Sequence, residues 1–347
     1  MKPLVAIIAV LVAFGSGSSV QVQTPEAEQS LFVSVIRRGE PVLDLTADEF
    51  VVEEDGERRD VLRIERAEEP MHVAILVDDS RGLVQNPSHI RNGLNELLDA
   101  LPEGQQIALL TFGGDQVRTI VDYTSDKGRL REEVTRYAAF SESSAYLMNA
   151  LAGTAIDLDQ RGALRPVIIL ITGEDAITGG GSTLGRSVEL LGLRGLDAAQ
   201  ALGVLKERMV AVHSLILRGV RDNFAVADGF SQPLSVETNT NFQRGGPPMP
   251  RGGVAPNTGI ARQHTTARER ARLFEQLPKV TGGIREELGN SSAVPKVLGQ
   301  IAHDISNQYL VTYARPVGLA PADEIEVSVT RRRHRVRSTL ARPSGVR

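Results

Sequence analysis

Cysteine is absent from the 347 residues, so disulfides, thiolate metal sites and cysteine nucleophiles are excluded, and the N-terminal segment cannot be a lipoprotein signal. Tryptophan is absent too, and aromatics make up only 4% of the chain, which argues against base-stacking or sugar-stacking surfaces as the main function. Charge of one sign is also scarce. Lys and Arg number 39 against 43 Asp and Glu, a formal net charge of -4, so bulk electrostatics favour neither nucleic acid nor an acidic membrane surface. The six histidines, at 72, 89, 213, 264, 303 and 334, show no metal-protease spacing, and no Gly-x-Ser-x-Gly nucleophile elbow occurs. The run from Gly179 to Gly185 lacks the lysine that a phosphate-binding loop requires, and reads as a connection.

What is present begins with an export pattern. Lys2 precedes an apolar run from Leu4 to Phe14, and the small residues Gly15, Ser16, Gly17, Ser18 and Ser19 follow. The run is shorter than the roughly 20 residues that span a bilayer, and small residues stand where a signal peptidase cuts. Residues 1–20 therefore read as a secretory signal peptide. A secreted, periplasmic or cell-envelope protein is expected, with no integral membrane segment after cleavage.

Beyond this leader the hydrophobic fraction of 41% suits a compact core. Leu31 to Ile36 alternates like a strand, and Phe50 to Glu54 and Asp60 to Ile64 flank Asp55-Gly56-Glu57, a hairpin signal, so residues 31–66 form a small β segment. From His72 the pattern changes to continuous apolar runs of strand length: residues 72–77, 107–111, 117–121, 167–172 and 210–217. Helical spacing separates them, at residues 90–101, 145–158 and 196–209, and resumes at 267–277 and 293–305. Alternating strands and helices predict a doubly wound, mostly parallel sheet over residues 70–306, interrupted by a Gly/Pro-rich flexible insertion at 219–259. Residues 307–342 return to strand periodicity and are expected to pack with the N-terminal segment, since neither alone can bury a core. His72 and His213 fall in apolar strands and read as hydrogen-bonded core or edge residues.

Val73 to Ser80 is an apolar strand ending in Asp78-Asp79-Ser80, which resembles the start of the metal-ion-dependent adhesion site, Asp-x-Ser-x-Ser, of von Willebrand factor A (VWA) domains. Asp44 to Glu65, the Thr281-Gly282-Gly283 that closes a helix, and Ile305 to Pro316 resemble a secreted bacterial VWA subgroup known from acidobacteria. The resemblance implies a six-stranded, mainly parallel sheet sandwiched by helices, with binding loops at the carboxyl edge of the strands. It also implies a divalent cation, usually Mg²⁺, held by hydroxyl and carboxylate oxygens and completed by a partner's carboxylate.

Carried over position by position, the implied metal site is degenerate. Asp78 and Ser80 match the first and third positions, but Gly82 stands where the second serine belongs. The threonine position aligns with Ala145, and Ser144 is a ligand only if the loop shifts by one residue. Gly173 occupies the slot of the last carboxylate, which Glu174 or Asp175 would have to fill. The candidate metal residues are thus Asp78, Ser80 and Ser144, with Mg²⁺ binding expected to be weak or absent. The alternative is that Asp78 and Ser80 cap the loop and the following helix. Asp79 and Asp78 are not read as an acid/base pair, because adjacent side chains at a strand end diverge.

These readings predict a non-catalytic module that binds a protein partner through the loops following Val77, Phe140 and Thr172. An alternative is an envelope assembly or scaffold protein that uses its terminal β segments, and a third is a hydrolase with an unrecognised site. No nucleic-acid partner is expected. The tail from Thr330 to Arg347 carries only basic charge, but strand alternation splits it between two faces, as suits a solvated, edge-protecting strand.

Overall fold

The computed structural model describes residues 26–79, 83, 87–113, 116–138, 147–173, 196–218 and 258–342. The leader at 1–20 and the insertion, apart from Thr258 and Gly259, lie outside the described residues. Those two residues open a helix, so the expected insertion ends before them.

The chain first lays down β1 (Glu26–Arg37), β2 (Glu40–Pro41), β3 (Phe50–Glu54), β4 (Glu57–Arg59) and β5 (Val61–Arg66). Asp55 and Gly56 both have positive φ, 50° and 80°, as a two-residue turn matched to the twist of its strands requires, so β3 and β4 close as a hairpin.

The central domain follows. Its elements are β6 (Met71–Asp78), α1 (Pro87–Ala100), β7 (Gln106–Gly113), β8 (Gln116–Thr124), α2 (Lys127–Arg136), α3 (Leu147–Gln160) and β9 (Arg165–Gly173). Then come α4 (Ala198–Glu207), β10 (Ala211–Leu217), α5 (Thr258–Thr281), β11 (Arg285–Leu288) and α6 (Val294–Ser306). The strands form one sheet in the order β11-β10-β9-β6-β7-β8. All neighbours run parallel except β7 and β8, which are antiparallel. Only two residues separate β7 from β8, too few for the crossover of a dozen or more that a parallel pair needs.

Alternation along β6 shows why its run is apolar throughout. Val73, Ile75 and Val77 face α1, α2 and α6, packing on Leu94, Leu97, Leu130 and Leu298. Ala74 and Leu76 face α3, α4 and α5, packing on Leu151, Leu202, Leu273 and Leu277.

The chain then returns to its beginning with β12 (Tyr309–Pro316), β13 (Ile325–Val329) and β14 (Arg335–Leu340). β1 pairs antiparallel with both β12 and β14, while β5 joins the other side of β12. β13 joins the β3–β4 hairpin instead. A third core, including Leu31, Val33, Phe50, Val52, Val311 and Tyr313, lies between these two sheets. Acid and base meet across it. Glu54, 2% exposed, accepts from Tyr313 Oη at 2.6 Å and from Arg59 and Arg315, and Arg331 pairs with Asp44 and Glu49. The basic tail is accordingly less solvated than its alternation implies, because Arg337 also pairs with the buried Asp304 of α6.

His213 on β10 is 2% exposed, and its Nδ1 accepts from Ile284 N at 3.3 Å. Burial, assisted by Arg337, pushes its pKa from 6.5 down to about 3. The folded ring stays neutral while the unfolded one takes a proton, so its contribution is complete above about pH 6.5 and is lost as pH falls towards 3. The expected slope is up to about 1.4 kcal/mol per pH unit in that window. Urea melts of wild type and His213→Gln between pH 7 and pH 4.5 measure it: the variant should show the flatter dependence. His72 on β6 has its Nδ1 buried without a hydrogen-bond partner.

Candidate functional site

The site is built where β6 and β9 end side by side. Val77 lies opposite Ile171 in the parallel register, which brings Asp78 beside Thr172. Both are fully buried, and the Thr172 hydroxyl donates to Asp78 Oδ2 at 2.6 Å. From α5, Arg270 Nη2 donates to Thr172 Oγ1 and to the Gly173 carbonyl, each at 2.6 Å. Guanidinium, hydroxyl and carboxylate therefore form one continuous chain. Arg270 also stacks on Phe274, with Cζ 5.3 Å from the ring centroid. Burial lowers the Arg270 pKa and the charge of Asp78 opposes that shift.

Asp79 extends the site towards β7 and β8. Its backbone N–H donates to Phe112 O at 3.0 Å, and Arg118 of β8 donates to its Oδ2, while Oδ1 is buried with no partner. Asp79 is 1% exposed, but the Arg118 side chain is 47% exposed, so this ion pair links the buried carboxylate to the surface. On the other side, Tyr137 Oη donates to the Asp78 carbonyl at 3.0 Å. Burial raises the Tyr137 pKa, and the charges of Asp78 and Asp79 raise it further.

Of the candidate metal residues, Asp78 lies in this site. Ser80 and Ser144 lie outside the described residues, as do Gly82, Ala145, Glu174 and Asp175. Sequence reasoning missed Arg270, although a signal existed. Arg270, Leu273, Phe274 and Leu277 have i, i+3, i+4, i+7 spacing, and the last three are buried in the core, so a charged residue stands on an apolar stripe.

An open α/β sheet with polar groups gathered at the carboxyl ends of its strands defines the class of protein: a doubly wound domain, a class whose ligands as a rule bind at that edge. Residues 73–176 match the family profile described as von Willebrand factor type A domain, and this stretch is a VWA domain. No curated protein matches the chain in sequence. Among solved structures, a von Willebrand factor type A protein from Catenulispora acidiphila is 10% identical, with 93% of this chain and 67% of that one covered, at a TM-score of 0.41. An aerotolerance-related membrane protein from Bacteroides fragilis is 16% identical, covering 67% of this chain and 98% of its own, at a TM-score of 0.38. Proximal thread matrix protein 1 from the mussel byssus, whose MIDAS motif is occupied by zinc, is 11% identical, covering 73% and 49%, at 0.39. Similarity at this level says nothing of function.

The metal that the VWA resemblance implies can be tested against the residues at the site. Mg²⁺ requires several hard oxygens in near-octahedral array. Among the described residues no three His, Cys, Asp or Glu side chains cluster so as to hold a metal ion. Gly173 contributes no side-chain donor, and the Thr172 hydroxyl is engaged by both Asp78 and Arg270. The described residues do not fit the ion.

Proposed function

We propose that this is an exported, non-catalytic protein that binds a partner protein with the carboxyl edge of its VWA sheet, at the loops following Val77, Phe140 and Thr172. The observation that carries the reading is the charged assembly at that edge, which reaches the surface through the half-exposed Arg118. The arrangement suits recognition better than catalysis. At this edge the Thr172 hydroxyl lies against a carboxylate, yet it is fully buried and also accepts from Arg270, so it is held away from any substrate and its oxygen is made less nucleophilic. Export rests on the leader pattern at residues 1–20. No helix among the described residues is long and apolar enough to cross a membrane.

Capture from an envelope extract by purified mature chain tests the reading. Arg118→Gln is expected to weaken capture about tenfold or more, as loss of a charged contact does. Arg335→Gln, on the exposed face of β14, is expected to leave capture unchanged, provided that both variants melt near wild type. The opposite pattern would favour a scaffold that docks through its terminal β sheets.

A further inference from the structure

We infer that Arg270 is the resident cation of this VWA site, so that its guanidinium does the charge-balancing and ordering that a divalent ion would otherwise do. The inference rests on reading the carboxyl edge as a binding site, and it turns on what balances Asp78. A buried carboxylate needs a nearby positive charge or strong donors, or it takes up a proton instead. One donor here is the Thr172 hydroxyl, and that hydroxyl is itself polarised by Arg270 Nη2 at 2.6 Å. The same Nη2 bonds the Gly173 carbonyl at 2.6 Å, tying the end of β9 to α5 at the position where the metal-site pattern calls for a carboxylate. A second carboxylate there would serve a divalent ion. Asp79 is balanced by Arg118, so beside the monovalent guanidinium the carboxylate of Asp78 suffices, and Gly173 and Arg270 are two halves of one exchange: an anion removed and a fixed cation supplied.

Two further observations place the guanidinium as a built part of the site. Its Nε is buried without a partner, a cost that a side chain free to reach solvent would avoid, and its planar face rests on Phe274. Its helix stripe is otherwise apolar and packed in the core, so the side chain is anchored from below and directed at the strand ends.

The test is titration of the full mature chain with Mn²⁺ and Mg²⁺, followed by calorimetry and by the Mn²⁺ electron-spin signal. Wild type is expected to show no saturation below about 1 mM, the weak end of divalent-ion sites. Arg270→Met removes the cation while keeping much of the stem's volume. It is expected to bind Mn²⁺ at least tenfold more tightly than wild type, and Arg270→Met with Asp78→Asn should lose that gain. Arg270→Lys keeps a positive charge and should show no gain. Micromolar Mn²⁺ binding by wild type that disappears in Asp78→Asn would overturn the assignment, as would a folded Arg270→Met that gains nothing. If Arg270→Met does not fold, the wild-type titration decides alone. The titration reads the site without a partner, so the assignment can fail while the binding-module reading stands.

Discussion

Gly282→Ala and Gly283→Ala are each expected to leave little or no folded protein. These residues follow α5 and thread between the two halves of the molecule. Gly282 has φ +69°, and a Cβ there would stand 1.9 Å from Ser338 O of β14 and 2.6 Å from Thr339 Oγ1. A Cβ on Gly283 would stand 1.9 Å from Val212 O of β10. Both obstacles are backbone held in sheets, so neither can rotate aside. Thr281 fixes the register: its Oγ1 donates to Leu277 O at 2.7 Å and its carbonyl accepts from Thr339 Oγ1 at 2.8 Å. Clashes of this depth, with a left-handed backbone at Gly282, place the cost above about 4 kcal/mol, the range reserved for severe packing or backbone conflicts. Soluble yield and urea midpoints measure it. Gly289→Ala, with nothing within 4 Å of its added Cβ, is the control and should differ little from wild type.

Arg165→Met is expected to cost about 3 kcal/mol or more, since each buried acceptor left without its donor costs roughly 1–3 kcal/mol. Arg165 opens β9 and is 4% exposed. Its Nη1 donates to Ala67 O at 3.1 Å and reaches Glu69 O at 3.5 Å, while Nη2 donates to Ile305 O and to Gln308 Oε1 at 2.8 Å. The acceptors come from the chain entering β6 and the chain leaving α6, so one guanidinium fastens both crossings between the VWA sheet and the terminal sheets. Methionine would fill part of the space over Phe32, whose ring centroid lies 5.0 Å from Cζ, but would leave the carbonyls without donors. Arg165→Lys should recover only part of the loss, since a single ammonium cannot span acceptors on two sides. Denaturant melts of the three proteins compare these values. A Met variant within about 1 kcal/mol of wild type would mean that water replaces the guanidinium at little cost.

The elements legible in the sequence are those whose burial is written into residue type. β6, β9 and β10 are covered on both faces and so read as unbroken apolar runs, and the Asp55-Gly56 turn announces the β3–β4 hairpin. β11 carries no such mark. Its sequence is Arg-Glu-Glu-Leu, and it is a strand because its backbone pairs with the exposed edge of β10. α2 escaped for a similar reason: among its apolar residues only Leu130 and Val134 meet the core, too few to show a period. At the site, Asp78 was legible because it ends an apolar strand. Arg270 lies almost 200 residues later on a helix dense in charge, and only its register against Leu273, Phe274 and Leu277 sets it apart from its neighbours. Its partner Thr172 stood out as a strand end, but the bond between them follows from tertiary approach that no local pattern encodes.

Whether the carboxyl edge of the VWA sheet is the binding face can be read from site-specific photo-crosslinking in cells that produce the protein. A photoreactive residue at Ser80 or Glu174, which follow β6 and β9 in the sequence, is compared with one at the exposed Glu326 of β13 or Arg335 of β14. A discrete crosslinked partner is expected from Ser80 and Glu174 and none from Glu326 and Arg335. Adducts confined to Glu326 and Arg335 would contradict that expectation and transfer the binding role to the terminal sheets.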